Sequence, residues 1–192
     1  MTIQELFIMS NEAEQKVVAQ IADNQWNLTM PEKITREPMT LLEVVRYHIW
    51  DDAWIPDVLA GKTKEEVGDV HEHLLKLTTK ELQTNFRAYN QRAIAAVRDL
   101  SDLGRTVHLS YGDFPAREYL QHNISVRAFW SYDIAKLIGA NTTMADNFVQ
   151  ALIDEFSPVV AGYRQRDLFP SAIEVANSAS PQIKLLAMVG RE

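Results

Sequence analysis

The sequence predicts an all-α fold, and three observations predict it. Four long segments keep an apolar stripe at the 3.6-residue period over several turns. The segments are joined by short polar connectors, as in a helical bundle. Alternation of the strand kind is confined to one stretch, RTVHLSYGDFP. No repeat, low-complexity run or long heptad series interrupts the pattern, and 192 residues correspond to a single domain, 1–192, by the usual length prior.

Each element follows from local signals. The first helix, about residues 2–22, carries Ile3, Leu6, Phe7, Val17, Val18 and Ile21 against a polar opposite face, and Asp23-Asn24 ends it. A polar connector with two prolines follows. Thr40 with Glu43 three residues on reads as a capping box, so LLEVVRYHIWDDAWIPDVLAG is a second helix closed by Gly61. Pro56 inside it predicts a kink or a new short helix in the last turn. Residues 62–74 are polar and loop-like. The third helix, about 76–103, has Leu82, Phe86, Ala93 and Val97 on its stripe and stops at Gly104. The segment 105–114 reads as a short extended insertion before a Gly-Asp turn, and Pro115 suits a first helical turn. The fourth helix runs to Gly139 with Leu120, Ile124, Phe129, Trp130 and Ile134 on its buried side. A fifth helix opens at Thr142 or Thr143 and is interrupted near Pro158, and the tail from about 168 ends in a short helix, forming a C-terminal extension.

Composition excludes several function classes. The formal net charge is −7. An acidic chain lacks the basic face that nucleic acid requires and is repelled by anionic membranes. No window approaches the roughly 18 consecutive apolar residues of a membrane span. The N-terminus has no basic region before an apolar run, so it is not a secretory signal. Cysteine is absent, which removes disulfides, thiolate ligands and a cysteine nucleophile and fits a cytoplasmic protein. Any metal must be held by His, Asp, Glu or water. There is no GxSxG, P-loop or GxGxxG motif.

Three pieces in this order, WDDAWIPDVLAG (50–61), RTVHLSYGDFPAREYL (105–120) and YDIAKLIGANTTM (132–144), resemble the actinobacterial branch of the DinB/YfiT-like superfamily, which includes mycothiol-dependent maleylpyruvate isomerases. The similarity extends from about Trp26 to the C-terminal LLAMVGRE. It implies a four-helix bundle with up-down-down-up connectivity and one divalent metal, zinc or nickel, in a pocket at one end. It also implies a thiol cofactor such as mycothiol, and bundles of this type often pair as homodimers. The family's ligands are a histidine on the second helix and two residues one turn apart on a later helix. Here the second helix offers His48, with Tyr47 equally aligned to the ligand position. Anchoring on Asp133-Ile134-Ala135 puts Val126 and Trp130 at the other two positions, and neither side chain binds metal. His122, at i−4 from Val126, is a displaced candidate.

The remaining candidates have competing readings. Asp52 is i+4 from His48 and shares its face, so His48, Asp52 and His122 form a candidate ligand set. Alternatively, Asp51 and Asp52 face solvent, or pair with Arg127 or Arg117. Trp50, Trp54, Trp130 and Tyr132 form an aromatic set that is either core or the lining of a pocket. Arg127 sits mid-helix beside the apolar stripe, as a snorkelling or salt-bridged residue or as an anion contact inside the pocket. His71-Glu72-His73 reads as a solvated loop, and His108 points away from the face of Val107 and Leu109. Two functions remain. One is a metal- and thiol-dependent isomerase or transferase, the metal acting as a Lewis acid. The other is a metal-free bundle whose pocket, lined by Tyr47, Trp50, Trp54, Val126, Arg127 and Trp130, takes a small apolar or carboxylate ligand, or a structural bundle that has lost catalysis.

Overall fold

Thr2 opens the first helix. Its hydroxyl accepts from the Glu5 backbone N–H while the Glu5 carboxylate accepts from the Thr2 N–H. This reciprocal cap fixes the start of α1 (Ile3–Val18). A computed structural model describes residues 1–35 and 37–192. In chain order there follow α2 (Glu32–Thr35), α3 (Leu41–Leu59), α4 (Lys64–Val67), α5 (Thr79–Arg98), strands β1 (Thr106–Leu109) and β2 (Gly112–Pro115), then α6 (Ala116–Ile138), α7 (Asp146–Phe156), α8 (Val160–Gln165) and α9 (Pro181–Met188). The protein is mostly helical with one small antiparallel sheet. No helix among the described residues is long and apolar enough to cross a membrane.

The chain, read from its length as a single domain, divides into two compact units, one of residues 2–30 and 38–141, the other of 31–37 and 142–192 with Met1. The larger unit contains the four long helices. α1 packs on α5 and α6, and α3 packs on α5. Their stripes supply a core of Phe7, Val44, Ile49, Ile55, Leu82, Phe86, Val97, Leu120, Ile124 and Phe129, each at most 1% exposed. Burying side chains of this size contributes on the order of 1.5–3 kcal/mol each.

Of the two outcomes expected at Pro56, a new short helix does not occur in α3. The helix runs through Pro56 to Leu59 without a break. Proline lacks an N–H, so the Asp52 carbonyl loses its helical donor. One lost bond near the C-terminal end is tolerable when Ile55, Val58 and Leu59 are buried around it. The polar stretch 62–74 also carries more structure than expected. It holds α4, capped by Thr63 and Glu66, and a 3-10 turn over Glu72–Lys76.

The extended insertion is a hairpin. Thr106 pairs with Pro115, Val107 with Phe114, His108 with Asp113 and Leu109 with Gly112. Ser110 and Tyr111 are therefore the turn residues, and Gly112, at φ +135, begins the second strand instead of occupying the turn. Pro115 caps α6, and Gly139 (φ +74) ends it in the left-handed conformation that glycine adopts without penalty.

In the smaller unit α7 packs on α9. The Gln182 amide donates to the Thr142 carbonyl and accepts from the Met144 N–H, at 2.8 and 2.9 Å. Phe156, Tyr163 and Phe169 form a mutual ring cluster, with Tyr163 and Phe169 stacked at 4.9 Å.

A buried ion cluster beside an aromatic cleft

Polar side chains occupy stripe positions on all four long helices of the larger unit. On α1 the stripe Ile3, Phe7, Val18 is filled in its middle by Asn11 and Glu14. On α3 it includes His48 and Asp52, on α5 Asn90, and on α6 Arg127. All six are fully buried. Burial of this many polar groups is tolerable only where they satisfy one another.

Arg127 is the hub. Its Nη2 donates to Asp51 Oδ2 and to Asp52 Oδ1, both at 2.8 Å, and to the His48 carbonyl at 3.3 Å. Its Nε lies 3.3 Å from Glu14 Oε2, an ion pair without hydrogen-bond alignment. Glu14 Oε1 accepts from Nδ1 of His48. Asn90 Nδ2 donates to Asn11 Oδ1 at 2.8 Å and reaches Asp52 Oδ2 at 3.4 Å, and Asn11 donates to the Phe7 carbonyl of its own helix. Three carboxylates thus share one guanidinium.

The electrostatics follow from that ratio. Burial raises the Asp52 carboxyl, Arg127 pulls it back down, and Glu14 and Asp51 raise it again, leaving it at about 7. Burial on its own works against the charge of Arg127, but Asp52, Glu14 and Asp51 outweigh it and hold the guanidinium firmly protonated. His48 Nε2 is buried and has no hydrogen-bond partner among the described residues. Its ring lies against Trp130, centroids 5.1 Å apart.

Asp51 is the one member of the cluster that reaches solvent, its side chain 27% exposed. It opens onto a cleft of about 220 Å³. Tyr47, Trp50 and Trp54 line the cleft from α3, Tyr119 from α6, and Leu109, Ser110 and Tyr111 from the hairpin. Tyr47 and Trp50 lie 5.6 Å apart, and Trp50 and Trp54 meet edge-on at 6.0 Å. Tyr47 is 45% exposed. Tyr111 is 63% exposed as a residue, but its hydroxyl is tucked 3.4 Å from His122 Nδ1. Burial, then the Asp51 charge, raises the Tyr111 phenol to about 12 and the Tyr47 and Tyr119 phenols above their ordinary value. All three hydroxyls therefore stay neutral donors at physiological pH. The Trp54 indole N–H is buried and has no acceptor among the described residues.

Elements expected to be solvated support the aromatic wall. His71 sits against Trp54, ring centroids 5.1 Å apart, and bonds Asp57 at 3.0 Å. Glu72 accepts from the Trp50 indole N–H at 3.2 Å. The reading of His71-Glu72-His73 as a free loop is therefore corrected. Two of the three dock on α3, where the buried Leu74 of the same turn anchors the segment and the indole rings offer a donor to Glu72 and an apolar contact to His71. His73 remains exposed. Burial raises the Asp57 carboxyl, but Lys62 and His71 together hold it below the usual range.

The sequence candidates are distributed as follows. His48, Asp52 and Arg127 come together in the cluster. His122 does not join them. Its neighbours include Tyr111 and Phe114 of the hairpin and Glu118 one turn earlier on α6. Val126 and Trp130 are half-buried, one turn apart on α6. No group of three or more His, Asp or Glu side chains that could hold a metal ion is present among the described residues. The set His48, Asp52 and His122 is thus not assembled, because Asp52 is taken by Arg127 and His122 lies against the hairpin. Arg127 lies fully buried among Glu14, Asp51 and Asp52, and its Nη1 has no hydrogen-bond partner among the described residues. Its pairing with both Asp51 and Asp52 is the alternative that the structure shows. Glu14, Asn11, Asn90, Tyr111 and Tyr119 were not singled out from sequence. The first three were marked by position, as polar residues on otherwise apolar stripes. No family model, curated protein or solved structure matches the chain.

Proposed function

We propose that this chain is a DinB/YfiT-like bundle that binds a small molecule in its aromatic cleft, with a buried arginine–carboxylate cluster in place of a metal centre. One observation carries the reading. Asp51 belongs to both features, bonded to Arg127 on one side and lining a cleft walled by Tyr47, Trp50, Trp54, Tyr111 and Tyr119 on the other. Concave sites of mainly aromatic lining with a few placed polar groups are the usual form of ligand pockets. The cleft is below the roughly 300–1,000 Å³ of drug-sized sites, so its ligand is small. The donor set supports the loss of the metal. Val126 and Trp130 have no lone pair to offer, and Asp52 and Glu14 face a fixed cation.

The test is a fluorescence-detected screen of small aromatic, amine and carboxylate compounds against the wild type and a Trp50→Leu/Trp54→Leu variant. The expected result is saturable binding that the double substitution abolishes. If no compound binds in a way that depends on these two residues, the reading fails.

A second reading, the metal- and thiol-dependent isomerase or transferase, is favoured by one observation. His48 has a carboxylate on Nδ1 and an unpartnered Nε2, the arrangement in which a second-shell acid orients a metal-ligating imidazole. A bound divalent cation would supply Lewis-acid polarisation of a thiol or carbonyl. The other residues present do not complete such a site. Elemental mass spectrometry of untagged protein purified without chelator decides. About one zinc or nickel per chain, lost in His48→Ala, replaces the first reading with the second and makes a mycothiol-like thiol the next ligand to assay.

A further inference from the structure

Resting on the proposal that the cleft binds a small molecule, we infer that its ligand is a small organic cation carrying an ammonium group. Three observations lead there. First, the walls carry the aromatic side chains Tyr47, Trp50, Trp54, Tyr111 and Tyr119. An ammonium over an aromatic face is attracted by the ring quadrupole, most strongly by tryptophan. Second, the carboxylate in the cleft is Asp51, and it belongs to a cluster in which Asp51, Asp52 and Glu14 share the single guanidinium of Arg127. Asp51 is the member of that cluster able to share its negative charge with a ligand, because Asp52 and Glu14 are sealed from solvent.

Third, the Trp50 indole N–H donates to Glu72. A carboxylate on the indole nitrogen makes the ring more electron-rich and so a better face for a cation. The cations that line the cleft do not reverse this field. Lys64 is exposed and followed by Glu65 and Glu66. His108 is bonded to Asp113 across the hairpin at 2.8 Å.

Three probes of one shape and size test the inference by tryptophan fluorescence at pH 8: choline, its neutral isostere 3,3-dimethylbutan-1-ol, and 3,3-dimethylbutanoate. Choline is expected to bind at least about tenfold more tightly than the alcohol, the factor that a desolvated cation–aromatic contact supplies, and the carboxylate more weakly still. Asp51→Asn should weaken choline about tenfold and leave the alcohol unchanged, and Trp50→Leu should weaken both. Equal binding of choline and alcohol, or tighter binding of the carboxylate, overturns the cationic assignment and leaves the ligand-binding reading standing. No saturable signal from any probe overturns the assignment, while the broader compound screen then decides the ligand-binding reading separately. If Asp51→Asn does not fold, the ratio of choline to alcohol affinity in the wild type decides alone.

Discussion

Replacing Arg127 by methionine removes the cation but keeps most of the side-chain volume. Glu14, Asp51 and Asp52 then lose their shared countercharge, two of them at zero exposure. Removing one partner of a buried ion pair destabilises by about 3–5 kcal/mol. Against a total stability of about 5–15 kcal/mol, that is a large fraction. The loss depends on pH in a definite direction. Asp52 titrates at about 7 in the folded protein. At pH 5 it is already protonated and needs no counter-ion, so Arg127→Met loses less there, about half as much by the same buried-pair scale. At pH 8 the full loss is present.

The assay is urea unfolding at pH 5 and pH 8, followed by tryptophan fluorescence. All four tryptophans, Trp26, Trp50, Trp54 and Trp130, lie in the larger unit, so the signal reports that unit alone. With an m-value of about 2 kcal/mol/M, the midpoint should fall by roughly 2 M at pH 8. The triple variant Glu14→Gln/Asp52→Asn/Arg127→Met removes both sealed carboxylates with their cation. It should recover stability to within about 1–2 kcal/mol of the wild type. The reasoning is refuted if Arg127→Met costs less than about 1 kcal/mol at pH 8, or the same at both pH values.

Two further outcomes are expected. Asp52→Asn isolates one titration. The folded pKa of about 7 lies above the ordinary aspartate value of 3.8, so the folded state holds a proton that the unfolded chain has released between these values. Stability from this group is complete below about pH 4, declines as pH rises to 7, and is constant above. The full window is about 4 kcal/mol, and the difference between wild type and Asp52→Asn in urea midpoints from pH 4 to 8 should trace it. A flat difference contradicts the burial of an ionisable Asp52. In the smaller unit, Gly190→Ala forces a side chain onto a residue at φ +74, with a Cβ 2.6 Å from Pro170 Cβ and 2.8 Å from the Ser171 carbonyl. The conformational term alone is about 1 kcal/mol, and hydrogen exchange of the α9 amides should accelerate while those of α3 and α6 stay unchanged.

The helices were legible because their signals are local. Thr40 and Glu43 cap α3 where the pair stands in sequence, and the stripe Leu82, Phe86, Ala93, Val97 is buried as its spacing requires. Boundaries were less legible, since α1 ends at Val18 instead of near residue 22. The hairpin was read as extended, but its turn was misplaced. The glycine in Ser-Tyr-Gly-Asp was taken as the turn, whereas pairing of His108 with Asp113 puts Gly112 in a strand. The site was half legible. His48, Asp52 and Arg127 stand out as charged or titratable residues within apolar runs. Glu14 and Asn11 do not, because α1 is polar enough for them to pass as part of its solvated face. Only the two turns between Met9 and Val17 without a large apolar residue mark them. Which helix supplies a partner to Arg127 is a long-range fact, and no local pattern encodes it.

The cluster and the cleft are better regarded as one device than as two. A buried ion network is weak grounds for stability, since well-packed apolar residues do as well or better. The network here spans α1, α3, α5 and α6, and it is sealed everywhere except at Asp51. Arg127 fixes that carboxylate with a 2.8 Å bond, so the cleft receives a charge already oriented by groups that cannot move without opening the core. Preorganisation of this kind lowers the ordering penalty of binding. A surface aspartate beside the same tryptophans would present the charge without the orientation. The energetic burden of burying Glu14, Asp52 and Arg127 is intelligible if what they hold in place is Asp51.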